Sequence, residues 1–348
     1  MLNFIKILLS PLVVVYGTII NIRNWMFDNG CFKAKRVNAK VISIGNITLG
    51  GSGKTPTTVY LSALLKNSGR KVGVLSRGYG RNTKGYKLIS DGETIFQNVN
   101  DAGDEIYLVA DECKVPAAVS ERRASGAKKF LKDVDLEVIV LDDAYQHRWI
   151  HRDLDILIFE QNFLIKSGSI EQKLLPLGFL REQFSGVDRA DIVLINRKFS
   201  EKKELPKKFQ RMLQNKKVFH AYYDVNAIYD VKTHEKFNIM DFHGQKSLVV
   251  CGIARPKSFL RVLENHNIDA TNKMIMPDHK EYTSKEIQKI RKQFYDTNAY
   301  SVLTTQKDAV KLTNYSLDMD DIDIYYLKID LVIEKEDEFK SEVFKIFN

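Results

Sequence analysis

From residue 41 onward, short apolar runs alternate with longer segments in which polar and apolar residues mix. Five of the runs are typical of strands buried on both faces, at residues 41–44, 71–75, 138–141, 156–159 and 192–195. The mixed segments at 56–68 and 120–132 have the pattern of crossover helices. This alternation predicts an α/β fold with a doubly wound, mainly parallel sheet.

The pattern continues in a second part of the chain. Residues 218–240 alternate like a β-hairpin, and further apolar runs follow at 247–251, 300–304 and 324–327. We therefore predict four parts: an N-terminal segment (1–30), an α/β domain (31–217), a hairpin-like linker (218–240) and a second, smaller α/β domain (241–348).

The N-terminal segment has its own pattern. Residues 7–22 contain no charge and lie between Lys6 and Arg23. As a helix they would be about 24 Å long, which is shorter than the roughly 30 Å hydrocarbon layer of a bilayer. Residues 1–40 carry six basic residues and one acidic residue, a net charge of +5. This combination favours attachment to an anionic cytoplasmic membrane surface, and a buried core helix is the alternative.

Composition narrows the class of protein. The 348 residues include 53 Lys and Arg and 44 Asp and Glu, so the net charge is +9, which suits an anionic partner. The three cysteines, Cys31, Cys113 and Cys251, are far apart, which argues against a disulfide framework or a thiolate zinc site. No aromatic–basic RNA motif accompanies the charge, so we expect no nucleic-acid partner.

The clearest chemical motif follows the first strand. Residues 45–56 read Gly-Asn-Ile-Thr-Leu-Gly-Gly-Ser-Gly-Lys-Thr-Pro, between a predicted strand and a predicted helix. Backbone N–H groups of such a loop cradle phosphates, the lysine reaches the β- and γ-phosphates, and the threonine hydroxyl binds Mg²⁺. The predicted nucleotide-binding residues are Thr48, Gly50, Gly51, Ser52, Gly53, Lys54 and Thr55. This motif makes the predicted domain P-loop NTPase-like, and a chance glycine-rich turn is the alternative.

Two positions in the loop depart from known patterns. The strict form GxxxxGK[ST] has glycine where this chain has Thr48. The loop is also similar to that of dimerising partition-type ATPases, which carry a signature lysine at the position of Leu49. The absence of that lysine argues against their mode of action.

An acidic partner for Mg²⁺ follows another strand. The apolar run 138–141 ends in Asp142 and Asp143, which are the predicted metal-binding residues together with Thr55.

A second acidic motif, His151-Arg-Asp-Leu154, has the same residues as the catalytic loop of protein kinases. Position 158 is Ile158 where that loop needs asparagine, so we interpret Arg152 and Asp153 as structural.

A phosphoryl transferase also needs a base near the phosphates. Asp104, in Gly103-Asp-Glu105, is a candidate base, and Arg77, in Ser76-Arg-Gly-Tyr-Gly80, is a candidate phosphate ligand. Taken alone, Asp104 is better interpreted as an ordinary turn aspartate, and Arg77 as a solvated surface arginine, than as site residues.

Together the motifs resemble one family. In chain order they are GNIT with GGSGKTP, SRGYG at 76–80, GDE at 103–105, DDAYQH at 142–147, RDLDI at 152–156, LPLGFLRE at 175–182, GIARP at 252–256, Asp278-His279 with Tyr282, and TQKD at 305–308. This set is similar to that of the tetraacyldisaccharide 4'-kinases of lipid A biosynthesis, and it covers most of the chain.

The resemblance implies an activity and site residues. It implies ATP- and Mg²⁺-dependent phosphorylation of the 4'-hydroxyl of tetraacyldisaccharide 1-phosphate to give lipid IVA. The reaction would take place at the cytoplasmic face of the bacterial inner membrane, and the resemblance implies no protein partner. It makes Asp104 the base, oriented by His279, with Lys54 as a third catalytic residue. It also places Glu105, Gln146, His147, Arg181 and Glu182 near the site.

Three positions depart from the family pattern. Ala144 replaces a glycine, Phe179 replaces a proline, and Gln306 replaces a glutamate, which puts any ionic role of position 306 in doubt.

The alternative function is a P-loop GTPase or ATPase that acts as a switch or assembly factor. A switch GTPase needs an NKxD motif to read guanine. The nearest candidate starts at Asn196 but has Arg197 in place of the lysine and Phe199 in place of the aspartate.

Overall fold

The computed structural model describes residues 2–278 and 280–348, with side chains described for all of these except residues 2–9 and Asn226. Over these residues, thirteen strands form one sheet. They are β1 (Lys40–Gly45), β2 (Val72–Ser76), β3 (Lys87–Asp91), β4 (Pro116–Val119), β5 (Val138–Leu141), β6 (Leu154–Glu160), β7 (Ile192–Asn196), β8 (Lys217–Asp230), β9 (Lys236–Phe237), β10 (Lys246–Cys251), β11 (Asp269–Ile275), β12 (Ser301–Thr305) and β13 (Ile324–Ile333).

Helices connect the strands and cover the sheet. They are α1 (Leu2–Asp28), α2 (Lys54–Asn67), α3 (Val99–Ala102), α4 (Asp104–Cys113), α5 (Arg123–Asp133), α6 (Gln161–Ile165), α7 (Lys207–Leu213), α8 (Pro256–Asn265), α9 (Ser284–Asp296), α10 (Gln306–Leu312) and α11 (Glu336–Phe344).

The first half of the sheet has the order β3-β4-β2-β5-β1-β6-β7-β8. Every neighbouring pair in it is parallel except β3 with β4. Ile42 and Ile44 of β1 pack under α2 and α4, whereas Val41 packs with α5 on the other face. Both faces of the central strands are therefore buried, and the predicted doubly wound, mainly parallel α/β fold is confirmed.

The second half continues the same sheet. β13 pairs with β8 in antiparallel fashion, and β12, β10 and β11 follow in parallel. β8 also forms an antiparallel pair with β9, inside the predicted hairpin-like linker 218–240. β8 is 14 residues long and is hydrogen-bonded to β7 on one side and to β13 on the other, so this segment lies within the sheet. The division into four parts stays a prediction.

Three strands were not expected from the sequence. β3 is an edge strand of five residues, β4 has only four residues, and β11 alternates between partly buried and exposed positions at the other edge. β3 and β11 lack the continuous apolar run that identified the central strands, because an edge strand need not be buried on both faces. β4 lies inside the sheet between β2 and β3, but its short run of proline and alanine is not typical of a strand.

Helix α1 lies on the surface of the first half. The large apolar side chains on its outer side are more than half exposed to solvent: Leu12, Val14, Val15, Ile19, Ile22 and Trp25. Its inner side makes polar contacts, such as the 2.7 Å hydrogen bond that the Tyr16 hydroxyl donates to the carbonyl of Arg181. In the part of the chain that the structure describes, no helix has both the length and the apolar character needed to span a bilayer.

Candidate active site

A cleft of about 1410 Å³ opens at the carboxyl ends of the central strands, between the two halves of the sheet. Parallel α/β sheets bind ligands at this edge. Twelve of the residues predicted for the site line it: Gly50, Gly51, Gly53, Lys54, Thr55, Arg77, Glu105, Asp142, Asp143, Gln146, His147 and Arg181. Thr48, Ser52, Asp104 and Glu182 each adjoin a lining residue in sequence and are at most 6% exposed.

The glycine-rich loop joins β1 to α2 and is stabilised by hydrogen bonds between its own side chains. The Asn46 side-chain amide donates hydrogen bonds to Ser52 Oγ at 2.8 Å and to Thr48 Oγ1 at 3.3 Å. Gly53 has φ 104°, and a Cβ there would lie 2.3 Å from the Asn196 amide and 2.6 Å from the Tyr223 hydroxyl. Only glycine fits this position, which directs the loop into the N-terminus of α2.

Lys54, at the start of α2, faces an acidic residue at the end of β5. Its Nζ lies 3.8 Å from Asp143 Oδ2, and Arg181 holds the same carboxylate with hydrogen bonds of 2.9 and 3.1 Å. Burial alone would raise the pKa of Asp143, but Lys54 and Arg181 together lower it. Asp143 is therefore ionised at neutral pH and forms the link between Arg181 and the lysine of the loop.

Asp142 lies deeper in the cleft. It accepts hydrogen bonds from Thr58 Oγ1 at 3.2 Å and from Ser76 Oγ at 3.4 Å. Burial, followed by the charge of Asp143, raises its pKa. Two adjacent carboxylates in a buried site favour a bound cation, because a cation offsets both the desolvation and the repulsion.

The oxygen ligands present fit Mg²⁺. Thr55 supplies a hydroxyl, and Asp142 and Asp143 supply carboxylates. Among the described residues, no three His, Cys, Asp or Glu side chains form a cluster that could hold a metal ion by themselves. Mg²⁺ in phosphoryl-transfer sites is usually held by one or two carboxylates together with substrate phosphates and water, which agrees with this arrangement.

Asp104 begins α4 and is only 4% exposed. Its Oδ2 lies 3.0 Å from Lys311 Nζ and 3.5 Å from Lys307 Nζ, both on α10 of the second half. The adjacent Glu105 is 3.1 Å from Lys307 and reaches the cleft surface. The two lysines were not among the residues predicted from sequence, although Lys307 lies in the motif at 305–308. His279, the predicted partner of Asp104, lies outside the described residues.

Gln146 and Glu182 form a second polar group beside the loop. The Gln146 amide donates to the Asn46 carbonyl at 2.7 Å and to Glu182 Oε1 at 2.8 Å. Helix α1 contributes here too: Arg23 donates to the Gln146 carbonyl at 2.8 Å, and Asn24 donates to Glu182 at 3.2 Å. The contacts of α1 with the site were not apparent from its apolar sequence.

Comparison with known proteins identifies the family. The model of the family LpxK, tetraacyldisaccharide-1-P 4'-kinase, matches residues 5–348. A tetraacyldisaccharide 4'-kinase from Halothermothrix orenii is 32% identical over 95% of this chain and 90% of its own length. One from Aquifex aeolicus is 32% identical over 97% of this chain and 98% of its own.

The chain belongs to the tetraacyldisaccharide-1-P 4'-kinase family. A crystal structure of LpxK from Aquifex aeolicus in complex with ATP has a TM-score of 0.81 to this kinase, at 31% identity, and covers 99% of this chain and 100% of its own. The predicted family and the predicted class of enzyme are confirmed. The alternative of a switch or assembly factor is not favoured.

The structure shows what surrounds the three residues that depart from the family pattern. Ala144 is fully buried, and its N–H donates to the carbonyl of Ile44 at 3.1 Å. The carbonyl of Phe179 accepts a 2.7 Å hydrogen bond from Leu49 N, so its loop touches the glycine-rich loop. Gln306 donates an amide hydrogen to Glu112 Oε2 at 2.8 Å. A glutamate at 306 would meet another carboxylate here, so the neutral amide suits this kinase.

His147 differs from the other predicted residues in its electrostatics. Burial, and then the charges of Arg123, Arg152 and other arginines, lower its pKa to about 4. Its Nε2 is buried and has no hydrogen-bond partner among the described residues. The imidazole of this kinase is therefore neutral at pH 7.

Proposed function

We propose that this chain transfers the γ-phosphoryl group of ATP, with Mg²⁺, to the 4'-hydroxyl of tetraacyldisaccharide 1-phosphate to give lipid IVA. The observation that carries the proposal is the single cleft shared by the glycine-rich loop, the Asp142–Asp143 pair and the first turn of α4. ATP binding by the Aquifex aeolicus relative supports the choice of nucleotide.

The nucleotide would be held by the loop. Thr48, Gly50, Gly51, Ser52 and Gly53 would contribute the phosphate cradle, while Lys54 and Arg77 would bring positive charge to the β- and γ-phosphates. Thr55, Asp142 and Asp143 would hold Mg²⁺, which supplies charge neutralisation on the phosphate oxygens when bound. The bidentate contact from Arg181 to Asp143 would fix the direction of that carboxylate.

The acceptor would be activated by Asp104. Its carboxylate would accept the proton of the 4'-hydroxyl while the sugar oxygen bonds to the γ-phosphorus. The bond from the γ-phosphorus to the β–γ bridging oxygen would break, and ADP would leave. His279 would orient Asp104, and Lys54 would stabilise the charge of the transferring group.

Gln146 and Glu182 would support the site from behind the loop. Glu182 is almost fully buried and also pairs with Arg189 at 2.7 Å, so its position is fixed. Through Gln146 it is linked to the carbonyl of Asn46, at the beginning of the loop. Glu105 and His147, which line the cleft, complete the near-site set.

The site would act at the cytoplasmic leaflet of the bacterial inner membrane. A substrate with four acyl chains stays in a bilayer, so the enzyme has to work at its surface. The exposed apolar residues of α1 lie on the side opposite the polar contacts to the site, which suits a helix lying in the interface. The basic residues of the first 40 positions favour anionic lipid.

The activity itself gives the first test. Purified protein with ATP, Mg²⁺ and tetraacyldisaccharide 1-phosphate is expected to produce a bisphosphorylated lipid, detected by mass spectrometry or by transfer of ³²P from γ-labelled ATP. The same mixture with EDTA should give no product. Hydrolysis of ATP without labelled lipid would instead favour the switch-type alternative.

Membrane attachment gives the second test, and substitutions suit it better than deletion. Removing residues 1–24 would also remove Tyr16, Arg23 and Asn24 from the site. The double change Val15→Asp with Ile19→Asp affects exposed side chains alone. Because burying one such side chain contributes about 1.5 kcal/mol or more, binding to anionic vesicles should fall roughly 100-fold or more.

The matched control places the same charges elsewhere. Tyr300 and Leu317 are 71% and 90% exposed in the second half, so Tyr300→Asp with Leu317→Asp should leave vesicle binding unchanged. If the α1 variant sediments with vesicles as well as the wild type does, another surface anchors the protein.

A further inference from the structure

An ionic cluster built from both halves of the sheet surrounds the proposed base. We call Asp104, Glu105, Asp278, Lys307 and Lys311 the base cluster. Both lysines approach the same oxygen of Asp104, with Lys311 Nζ at 3.0 Å and Lys307 Nζ at 3.5 Å. Lys307 also lies 3.1 Å from Glu105 and 3.8 Å from Asp278. The first half therefore carries the base, and the second half carries two cations that hold it.

The burial of Asp104 makes its contacts with the two lysines important for its charge. The side chains of Asp104 and Lys311 are only 4% and 10% exposed. A carboxylate that is removed from water is stable in its charged form only when cations or hydrogen-bond donors replace the water. The ammonium groups of Lys307 and Lys311 do this, and the N-terminus of α4 adds its partial positive charge.

The lysines are themselves held by a rigid framework. Asp308, which lies between them in α10, is fully buried and accepts hydrogen bonds from Gly252 N at 2.9 Å, Thr305 Oγ1 at 2.7 Å and the Tyr282 hydroxyl at 3.2 Å. Lys311 donates a further hydrogen bond to the carbonyl of Lys280 at 3.2 Å. The motifs at 252–256, 278–282 and 305–308 therefore meet behind α10 and fix the direction in which its lysines point.

We propose that Lys307 and Lys311 are positioning residues for phosphoryl transfer, which hold the Asp104 carboxylate ionised and in one orientation for accepting the hydroxyl proton. This inference rests on the proposed function. The lysines do not carry the proton themselves: burial opposes its charge, but the carboxylates of Glu105, Asp104 and Asp278 raise the pKa of Lys307, so it stays an ammonium group.

The test is a double-mutant cycle on the full-length kinase. Lys307→Met and Lys311→Met are made in the wild type and in an Asp104→Ala background. In the wild type we expect kcat to fall about 10-fold and about 100-fold respectively, with little change in KM for ATP, because a misdirected base affects the chemical step. In the Asp104→Ala background neither change should lower kcat further, since the group they position is gone. Lys307→Arg should restore most of the activity.

The matched control removes another ion pair between a lysine and a carboxylate of α4. Lys328, on β13, pairs at 2.9 Å with Glu112, which lies near the opposite end of α4 from Asp104. Lys328→Met should keep kcat near the wild-type value, and thermal unfolding of every variant checks its folding. Lys307 is more exposed than Lys311, so Lys307→Met keeps the test decisive if Lys311→Met does not fold.

Two results would overturn the inference while the proposed function stands. One is a near-normal kcat in both Lys307→Met and Lys311→Met. If Lys311→Met does not fold, a near-normal kcat in Lys307→Met is enough. The other is an equal fold-loss in the wild-type and Asp104→Ala backgrounds, which would show that the lysines act independently of Asp104. A wild-type protein that forms no bisphosphorylated lipid would instead refute the proposed function, and the inference with it.

Discussion

Asp104→Ala is expected to lower kcat by roughly 10²- to 10⁴-fold, the usual contribution of a positioned general base. ATP affinity should stay nearly unchanged, because Asp104 begins α4 and contacts α10, whereas the glycine-rich loop joins β1 to α2 and Lys54 begins α2. Steady-state kinetics with the lipid acceptor gives kcat, and titration with a fluorescent ATP analogue gives the affinity.

A control on the same helix separates the loss of the proposed base from the loss of a negative charge on α4. Asp111 of α4 forms an exposed ion pair with Lys114 at 2.8 Å, so Asp111→Ala should cost little activity or stability. Asp104→Asn keeps the shape of the side chain but cannot accept the proton, and it should be as inactive as Asp104→Ala. Near-normal turnover in either Asp104 variant would mean that another group is the base.

The sequence predicted the five central strands of the first half because their signals are local. β1, β2, β5, β6 and β7 are continuous apolar runs that are buried on both faces, and each was expected within one or two residues of its observed bounds. The glycine-rich loop is equally local, since its residues are consecutive and its strand–loop–helix context is visible in the pattern. The acidic pair needed one further rule, that the carboxyl ends of parallel strands share an edge.

The partners of the site residues could not be predicted in this way. Lys307 lies 202 positions from Glu105, and Tyr16 lies 165 positions from Arg181. Such pairs depend on how β8 joins the two halves of the sheet, and β8 appeared in the sequence only as part of a hairpin-like linker. Hydrophobic periodicity says which face of an element is buried, but it does not say which distant element will cover it.

Helix α1 illustrates the same limit. Its apolar residues predicted a membrane-associating segment. Nothing in that pattern indicated that its polar side chains would bind the backbone of Arg181 and Gln146 and the side chain of Glu182. Because the helix holds the backbone of Arg181 and Gln146 from one side, the membrane attachment proposed for it would be physically connected to the geometry of the site. Substitutions on its exposed side can therefore be interpreted more simply than truncations.

Lys54→Ala is expected to lower kcat/KM by about 10³-fold or more. The lysine is placed at the N-terminus of α2, 3.8 Å from Asp143, where it would reach the β- and γ-phosphates. Removing one preorganised charge that stabilises the transition state typically costs 10²- to 10³-fold, and weaker triphosphate binding adds to this loss. Both kcat and the affinity for the ATP analogue should fall, in contrast to Asp104→Ala.

The structure of the site should survive this change, because Arg181 still holds Asp143 through two hydrogen bonds. Lys71→Ala is the matched control: it removes an exposed lysine that precedes β2, at the opposite edge of the sheet, where it pairs with Asp135. It should leave both kinetic constants near the wild-type values. If Lys54→Ala bound the analogue as tightly as the wild type and lost only kcat, the lysine would act in the transition state alone, and ground-state triphosphate binding would have to come from the backbone of the loop and from Arg77.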